Sequence, residues 1–171
     1  METLMPHPHW FTPLALLAAL LLPACAATAD MVPSDPAIYV VRHLHTPEGE
    51  RDPDLLPEGQ RVAILLGDRL AGERIAAIYI SDFKRTRQTA GPLAERLGLE
   101  PILYDPRDTP ALVARVRAGP LPALIIGHSN TVPDIVDQLG GTRPADLSHP
   151  DFGDLWRVGP DGATIRARIE P

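Results

Sequence analysis

AIYVVRHLHTPE, residues 37–48, is the stretch that decides the fold of this chain. Its first five residues form a continuous apolar run rich in β-branched side chains, which predicts a strand buried on both faces of a sheet. The run stops at Arg42, and His43 and His45 follow at once. Arginine and histidine at the end of a buried strand make this point in the chain a candidate functional site.

The sequence beyond this stretch alternates between apolar runs and segments of helical periodicity. The predicted strands, which share apolar or β-branched runs, are 37–42, 75–80, 101–104, 121–127, 155–158 and 163–169. The predicted helices, which share an apolar stripe at helical spacing, are 57–70, 83–97, 109–118 and 131–139. The last two strands are expected to pair as a hairpin across the turn at 159–162.

Residues at the helix ends suggest where the helices start and stop. We expect Ser81 or Asp82 to cap the second helix, because short polar side chains bind free N–H groups there. Thr109 is expected to cap the third helix, with Pro110 at its first position. Gly98 is predicted to end the second helix in a left-handed conformation.

This order of elements predicts an α/β domain, a three-layer α/β/α sandwich with a mostly parallel central sheet. In open sheets of this class, ligands bind at the carboxyl ends of the strands. Arg42, His43 and His45 follow the first strand, Ser81 follows the second and His128 follows the fourth. Side chains that are scattered in the sequence are therefore predicted to converge in space.

Composition limits the classes of function. The chain has 171 residues, a formal net charge of −6 and 44% hydrophobic residues, which fits one globular domain with a sizeable core. The acidic balance disfavours nonspecific nucleic-acid binding, so no nucleic-acid partner is expected. Cys25 is the only cysteine, which excludes an intramolecular disulfide and a cysteine-based zinc site.

Residues 1–29 are predicted to be a signal peptide, with cleavage before Asp30, which leaves residues 30–171 as the domain. The apolar centre is shorter than the roughly 20 residues that span a bilayer, and it suits a signal-peptide core. The sequence LPAC at 22–25 also resembles a bacterial lipobox, in which Cys25 would carry a lipid anchor. Both alternatives place an exported protein in the periplasm, soluble or anchored, without a transmembrane span.

The polar segments at the strand ends indicate a phosphate site. The planar forks of Arg42 and Arg85 match phosphate oxygens in a bidentate manner. The helices that follow the turns at 81–82 and 129–130 offer free N–H groups, which also attract phosphate. A neutral imidazole such as that of His43 can act as a nucleophile toward phosphorus.

These motifs resemble those of the histidine phosphatase superfamily, also called phosphoglycerate-mutase-like. Arg42-His43 corresponds to the start of the family's Arg-His-Gly motif, and SDFKRTRQTA at 81–90 closely matches its S-x-L-x-R-A-x-Q-T-A motif. His128, in GHSNT, corresponds to the family's second histidine, and residues 54–59 loosely match D-x-x-L-T-x-x-G. The resemblance runs from residue 37 to the final hairpin and implies the family's three-layer fold.

The resemblance also implies a catalytic role for four residues. His43 would be the nucleophile that accepts the phosphoryl group. Arg42, Arg85 and His128 would form the phosphate pocket and stabilise charge on the transferring group. Hydrolysis through His43 would need neither a metal nor another cofactor.

Further residues would bind the substrate or protonate the leaving group. Thr46 would add a hydroxyl donor, and Ser129 and Asn130 lie at the start of the helix after His128. Asp105 is the favoured general acid and Asp108 the alternative. A general acid needs an environment that raises its pKa, so that it stays protonated near neutral pH.

Two features of the sequence depart from the family pattern. Leu44 replaces the glycine of the Arg-His-Gly motif and is expected to narrow the pocket beside His43. The acidic loop at 48–54 either rims the pocket, where it would repel highly anionic substrates, or is simply solvated.

The predicted function is a phosphatase with a small phosphorylated substrate, because the short connections between elements favour hydrolysis over mutase chemistry. Two alternatives remain from the sequence. A catalytically weak protein of the same fold could bind phosphate or a phosphorylated ligand. A metallo-hydrolase could use His43, His45 and His128 as ligands.

Overall fold

The structure is a computed structural model that describes Met1 and residues 36–170. The predicted signal peptide at 1–29 and the lipobox cysteine Cys25 lie outside this part, except for Met1, so both cleavage alternatives stay predictions. Among residues 36–170, no helix has both the length and the apolar character that crossing a membrane requires.

The described residues form six strands and four helices. In chain order they are β1 (Ile38–Arg42), α1 (Pro57–Leu70), β2 (Ala77–Ser81), α2 (Lys84–Leu97), β3 (Ile102–Tyr104), α3 (Thr109–Ala118), β4 (Ala123–Gly127), α4 (Val132–Gln138), β5 (Asp154–Val158) and β6 (Thr164–Arg168). All ten predicted elements are present, with ends that differ from the predictions by at most two residues.

The sheet has the strand order β3-β2-β4-β1-β5-β6. Pairing is parallel between β2 and β3, β2 and β4, and β1 and β4, and it is antiparallel between β1 and β5 and within the β5–β6 hairpin. Helices α1 and α2 share a core with one face of the sheet, and α3 and α4 share a core with the other. The predicted three-layer α/β/α fold is confirmed.

Strand β1 shows why the apolar run at 37–41 predicts a buried strand. Its side chains alternate between faces, as in any strand. Tyr39 and Val41 join the core beneath α1 and α2, whereas Ile38 and Val40 join the core beneath α3 and α4. A strand that must be apolar on both faces has a continuous apolar sequence rather than an alternating one.

Two helix caps differ from the predictions. Helix α2 begins at Lys84, and its backbone N–H donates to Asp52 Oδ1 at 3.1 Å, so the cap comes from the 48–54 loop rather than from Ser81 or Asp82. Ser81 is the last residue of β2, and its hydroxyl is bonded elsewhere. At α3 the cap is Asp108 and not the predicted Thr109, which is the first residue of the helix: Asp108 Oδ1 accepts from the N–H of Ala111 at 3.0 Å. The left-handed C-terminal Gly98 of α2 is confirmed, with φ +64°.

Candidate active site

The ends of three neighbouring strands place the candidate residues at one edge of the sheet. In the parallel ladder of β1 and β4, Arg42 pairs with Gly127, and Ile80 of β2 pairs with Ile126 of β4. The backbone N–H of His43 then donates to the carbonyl of Gly127 at 2.9 Å, beyond the last paired residues. The convergence that the sequence predicted is therefore the direct result of parallel pairing.

His43 is held as a neutral imidazole of defined tautomer. The side chain is buried, and Nδ1 lies 3.0 Å from the carbonyl oxygen of Leu44. Burial lowers the pKa of His43 to about 3, assisted by the positive fields of His128, Arg42 and Arg85 and opposed by the Leu44 carbonyl. A carbonyl can only accept, so Nδ1 carries the proton and Nε2 keeps its lone pair.

The backbone that follows His43 is fixed by α1 and α2. The N–H of Leu44 donates to Thr89 Oγ1 at 3.0 Å, and that hydroxyl donates to the carbonyl of Arg85 at 2.7 Å. A Cβ on Gly59, in the first turn of α1, would lie 2.6 Å from the carbonyl oxygen of His45. Glycine is required at position 59 by this close approach, which explains its presence in the loosely matched 54–59 segment.

His128 faces His43 and is fixed by Ser81. The two imidazole rings meet edge to face, with centroids 5.4 Å apart. Nε2 of His128 lies 2.8 Å from Ser81 Oγ, and Nδ1 lies 3.4 Å from Arg85 Nη2. Burial lowers the pKa of His128 to about 4, with Arg85 and then Arg42 adding to the effect. Both histidines are thus uncharged at neutral pH.

Arg85 extends from the first turn of α2 toward His128. Its guanidinium carbon lies 4.2 Å above the ring of Phe83, and Nη1 donates to the carbonyl of Arg51 at 3.3 Å and to Asp52 Oδ1 at 3.4 Å. Burial lowers the pKa of Arg85, and Asp52 opposes this shift. The guanidinium stays charged, with Nη1 bound to the 51–52 loop and Nη2 facing His128.

Arg42 is bound by the segment 148–152. Nη1 of Arg42 donates to the carbonyls of Ser148, His149 and Asp151 at 2.5, 3.2 and 3.1 Å. The guanidinium carbon lies 4.1 Å from the ring centre of Phe152. Nε of Arg42 is buried and has no hydrogen-bond partner among the described residues. Burial lowers the pKa of Arg42 to about 10, so the side chain still carries its charge.

A cavity of about 270 Å³ opens at this edge of the sheet. Its lining residues are His43, Phe83, Arg85, Pro106, Arg107, His128, Ser129 and Asn130. Five of the eight predicted site residues therefore line one cavity: His43, Arg85, His128, Ser129 and Asn130. A neutral nucleophile, fixed guanidinium groups and an open volume of this size suit a phosphoryl group.

The segment 38–107, which runs from β1 through the 105–108 turn, matches the family model of the histidine phosphatase superfamily, branch 1. This segment, about two fifths of the chain, is the part assigned to the superfamily. Members of this superfamily are phosphatases or mutases. The matched segment contains Arg42, His43 and Arg85, and His128 lies beyond it.

Curated relatives agree with this assignment. The Probable phosphoglycerate mutase GpmB of Serratia proteamaculans is 35% identical over 77 residues, which cover 41% of this chain and 35% of that protein. The protein of the same name from Yersinia enterocolitica matches to the same extent. The chain thus spans about a third of the length of the curated relatives it matches.

Solved structures share the fold. The protein histidine phosphatase SixA, complexed with tungstate, has a TM-score of 0.59 at 19% identity and covers 79% of this chain and 97% of its own. The mycobacterial glucosyl-3-phosphoglycerate phosphatase Rv2419c, in complex with VO3, has a TM-score of 0.61 at 14% identity. This match covers 79% of the present chain and 98% of the phosphatase chain. At these identities the likeness is one of fold.

Arg42 and Thr46 do not line the cavity that contains His43. Thr46 is 5% exposed and is buried beside the first strand end. Arg42 is equally buried, and its field acts on both histidines. In this arrangement Arg42 acts on the site through its charge, and Thr46 is a buried neighbour.

Asp105 does not meet the condition for a general acid. It is exposed at the turn after β3, where Arg107 binds it with Nε–Oδ1 and Nη2–Oδ2 distances of 3.0 and 2.8 Å. Hydrogen bonds from Arg107 lower the pKa of Asp105 to about 2, so the expected upward shift is wrong. The alternative, Asp108, is exposed and caps α3. Neither carboxyl lines the cavity that contains His43.

The two departures from the family motifs have structural explanations. Leu44 is fully buried in the core beneath α1 and α2, so the expectation that it narrows the pocket is wrong. In the 48–54 loop, Asp52 binds Arg85 and the N-terminus of α2, and Asp54 Oδ1 accepts from Gln88 Nε2 at 2.8 Å. These two carboxylates tie the loop to α2 instead of being only solvated.

His45 does not join His43 and His128 in the cavity. Its Nε2 lies 3.8 Å from Glu58 Oε1, and its ring packs on Phe152 with centroids 4.8 Å apart. In residues 36–170, no group of three or more His, Cys, Asp or Glu side chains is placed to hold a metal ion. The geometry therefore gives no support to the His-x-His metal alternative.

Three residues at the site were not predicted from the sequence. Phe83 carries Arg85 on one face and meets the His128 ring edge to face at 5.2 Å, and it lies inside the recognised SDFKRTRQTA motif. Arg107 lines the cavity from the 105–108 turn. Phe152 contacts Arg42 and His45 from a segment that carries no motif, so only the tertiary structure could reveal it.

Proposed function

We propose that the chain is a phosphatase that hydrolyses a small phosphorylated substrate through a covalent phosphohistidine on His43, without a metal. The observation that carries the proposal is the fixed tautomer of His43. Nδ1 is engaged by the Leu44 carbonyl, and His43 lines a cavity that also contains Arg85 and His128. A lone pair on Nε2 is what attack on phosphorus requires.

The first step transfers the phosphoryl group to the enzyme. The Nε2 lone pair of His43 forms a bond to phosphorus while the bond from phosphorus to the leaving atom breaks, and the leaving group departs with that electron pair. Arg85 and Arg42 stabilise the negative charge on the phosphoryl oxygens, because their charges are held in place before the reaction. The positive charge that develops on the His43 ring is offset by the phosphoryl group it carries.

The second step regenerates His43. A water molecule attacks phosphorus, the P–N bond breaks, and its electron pair returns to Nε2. The protons of the water end on inorganic phosphate and, through solvent, on the released leaving group. The overall reaction is hydrolysis of the phosphate bond, and the enzyme is unchanged.

Ser81 allows His128 to serve both steps. A hydroxyl can donate to or accept from Nε2 of His128, so Ser81 supports either neutral tautomer of that ring. Arg85 Nη2 can only donate, so its contact with Nδ1 selects the tautomer in which Nε2 of His128 donates to Ser81. If Arg85 turns to the phosphoryl group and Ser81 becomes the donor, Nδ1 carries the proton and can donate it to a phosphoryl oxygen. The low pKa of His128 keeps its ring neutral, so His128 offers a hydrogen bond to the phosphoryl group but no charge.

The test is turnover of p-nitrophenyl phosphate and acetyl phosphate by the purified full chain. Activity that persists with a chelator and is lost in His43→Ala supports the proposal, and alkaline quenching followed by mass spectrometry should locate a phosphoryl group on His43. The matched control is His45→Ala, which should stay active. Failure to turn over any phosphate ester or acyl phosphate, combined with tight tungstate binding, would instead indicate a phosphate-binding protein without activity.

For the N-terminal segment, we infer that residues 1–29 direct export to the periplasm. The support is the apolar core at 14–22 followed by the A-x-A sequence at 27–29. Sequencing the mature N-terminus separates the alternatives: a chain that begins at Asp30 is soluble, and one that begins at a lipid-modified Cys25 is anchored. An unprocessed chain that starts at Met1 would exclude both.

A further inference from the structure

A second cavity adjoins the one that contains His43. It has a volume of about 440 Å³ and shares Phe83, Pro106 and Arg107 with the first cavity. Asp82, Tyr104 and Asp105 complete its lining. A substrate whose phosphoryl group lies beside His43 therefore has a neighbouring cavity, bounded by the same three residues, toward which its leaving group can extend.

Three of the six residues that line this second cavity have cyclic side chains: Phe83, Tyr104 and Pro106. Tyr104 is almost fully buried and donates its hydroxyl to the carbonyl of Ile126 at 3.0 Å, and burial raises its pKa, so it remains an uncharged ring. Phe83 is held by the Arg85 guanidinium on one face and by the edge contact with His128. Pro106 adds a third rigid apolar surface. Fixed rings favour flat apolar partners over flexible polar ones.

The carboxylates at the rim of the second cavity are already neutralised. Asp82 is paired with Arg87, and Asp105 is paired with Arg107. Each pair lies in contact with solvent, where it can remain hydrated while a ligand occupies the rings below. The rim therefore does not present an unbalanced charge that would select a charged leaving group.

The first cavity contains no group that can protonate a leaving atom at neutral pH. Its described lining carries no carboxyl, thiol or phenol, both arginines are too basic, and both histidines are neutral. Without an acid, reaction is fast only when the leaving atom is weakly basic. The oxygen of a phenol meets this condition, and so does an imidazole nitrogen when the other nitrogen of that ring is protonated and neutral imidazole departs, whereas the oxygen of an ordinary alkyl alcohol does not.

We propose that Phe83, Tyr104 and Pro106 form a leaving-group subsite that selects substrates whose phosphoryl group is attached to an aromatic ring. This inference deepens the proposed phosphatase function and rests on it. The ring lies in the second cavity, and the bond that breaks lies between the two cavities. The same walls accept a ring bonded through oxygen, as in phenyl phosphate, or through nitrogen, as in phosphoimidazole.

Binding can be tested without catalysis by comparing benzylphosphonate with ethylphosphonate in calorimetry. Benzylphosphonate has the shape of phenyl phosphate but no bond that hydrolyses, and we expect it to bind about tenfold more tightly, because its ring is buried against three others. Tyr104→Leu and Pro106→Ala should each reduce this ratio to about threefold or less. Leu103→Ala, an exposed apolar residue on the same strand as Tyr104, is the matched control and should leave the ratio unchanged.

Tungstate binding separates a lost subsite from a damaged protein. Tyr104→Leu should bind tungstate as the unaltered chain does, because Tyr104 lines only the second cavity and tungstate needs only the first. If Tyr104→Leu also loses tungstate affinity, the ratio of the two phosphonate affinities in Pro106→Ala decides the question, because any change in the first cavity weakens both phosphonates alike. Equal affinity for the two phosphonates in the unaltered chain would overturn the inference even if the enzyme is active.

Turnover gives the second arm of the test. Phenyl phosphate is compared with hexafluoroisopropyl phosphate, because the two leaving groups have similar acidity and only one is an aromatic ring. We expect kcat/KM to be at least about tenfold higher for phenyl phosphate, and N-phosphoimidazole shows whether a ring nitrogen is accepted as well. Equal rates for the two esters would refute ring selection, whereas no turnover of any compound would refute the phosphatase proposal itself.

Discussion

The buried strand ends and the exposed 105–108 turn treat their titratable groups in opposite ways. His43 and His128 are 6% and 8% exposed, and burial lowers the pKa of each so that the neutral, nucleophilic form prevails. Asp105 lies in solvent, and Arg107 lowers its pKa so that the charged form prevails. The difference teaches that this fold prepares a nucleophile by burial but offers no acid at its rim.

The largest effect is expected at the buried strand end. His43→Ala should reduce kcat for p-nitrophenyl phosphate by at least about 10³-fold, because removal of a nucleophile leaves only binding and charge stabilisation. His45→Ala should remain within about threefold of the unaltered chain, since His45 lies outside the cavity. Comparable losses in both variants would show that the two histidines act as one buried cluster instead of as nucleophile and neighbour.

Arg85 tests whether charge fixed at the mouth of the buried site matters as much as the nucleophile. Arg85→Ala should lower kcat by about 10²-fold or more, because one preorganised charge on the phosphoryl oxygens is lost. Asp52→Asn should lower it only about threefold, since it removes one partner of Arg85 and leaves the guanidinium in place. If Asp52→Asn proves the more damaging variant, the loop contributes more than a support for Arg85.

The pH profile reports the burial of the histidines directly. Protonation removes the His43 lone pair only below its folded pKa of about 3. Titration of His43 should therefore not lower kcat/KM between pH 6.5 and about 4. Stability behaves differently, because the unfolded chain takes up protons near pH 6.5 and the folded chain does not. The melting temperature should therefore fall as the pH drops from about 6.5 toward 4.

Two measurements check this pH behaviour. Phosphate release with acetyl phosphate gives the activity profile, and calorimetric melting gives the stability profile. An acid limb of kcat/KM centred near pH 6.5 would show that His43 is solvated in the folded protein, contrary to its burial. In His43→Gln the fall of melting temperature with pH should be shallower, because one of the two buried imidazoles has been removed.

Phe152 tests how strongly the second arginine depends on its support. Phe152→Leu should lower kcat/KM by about tenfold, because the ring that holds the Arg42 guanidinium is lost, and should reduce stability by about 1–2 kcal/mol. A matched control is Ile165→Ala, an exposed residue on β6. Tungstate affinity measured well below the melting temperature separates the two effects: unchanged affinity would mean that Phe152 is a packing residue only.

The smallest effect is expected at the exposed turn. Asp105→Asn should change kcat by less than about twofold and should not move the alkaline limb of the pH profile, because Asp105 is ionised and outside the cavity. The readout is turnover of phenyl phosphate and of a less reactive alkyl phosphate. A selective loss of the alkyl substrate in Asp105→Asn would show that this carboxyl acts as a general acid after all.

Local sequence patterns predicted the elements well and the caps poorly. Pro57 begins α1 and Gly98 ends α2 as expected, because backbone geometry at these positions depends on the residue itself. The cap of α2 comes from Asp52, more than thirty positions earlier in the chain. A contact of this kind depends on how the loop packs against α2, so residue preferences near the helix end could not reveal it.

The candidate site was predictable wherever a motif follows a strand. His43, Arg85, His128, Ser129 and Asn130 line the cavity because parallel strands end together, and that rule can be applied to a sequence. Asp105 was selected for its chemical type and its position in the chain. Its partner Arg107, which decides its pKa, lies only two residues away, but a pairing through two hydrogen bonds depends on the conformation of the turn.

The amino-acid sequence by itself determined the three-layer α/β/α fold, the order of its elements and the meeting of arginine and histidine side chains at one edge of the sheet. These properties follow from the period of apolar residues and from the parallel pairing it enforces. Only the tertiary structure decided that Leu44 points into the core, that Phe152 supports Arg42 and that the cavity lacks a carboxyl. The physical reason is that burial, and with it the charge of each group, is set by atoms that are distant in the chain.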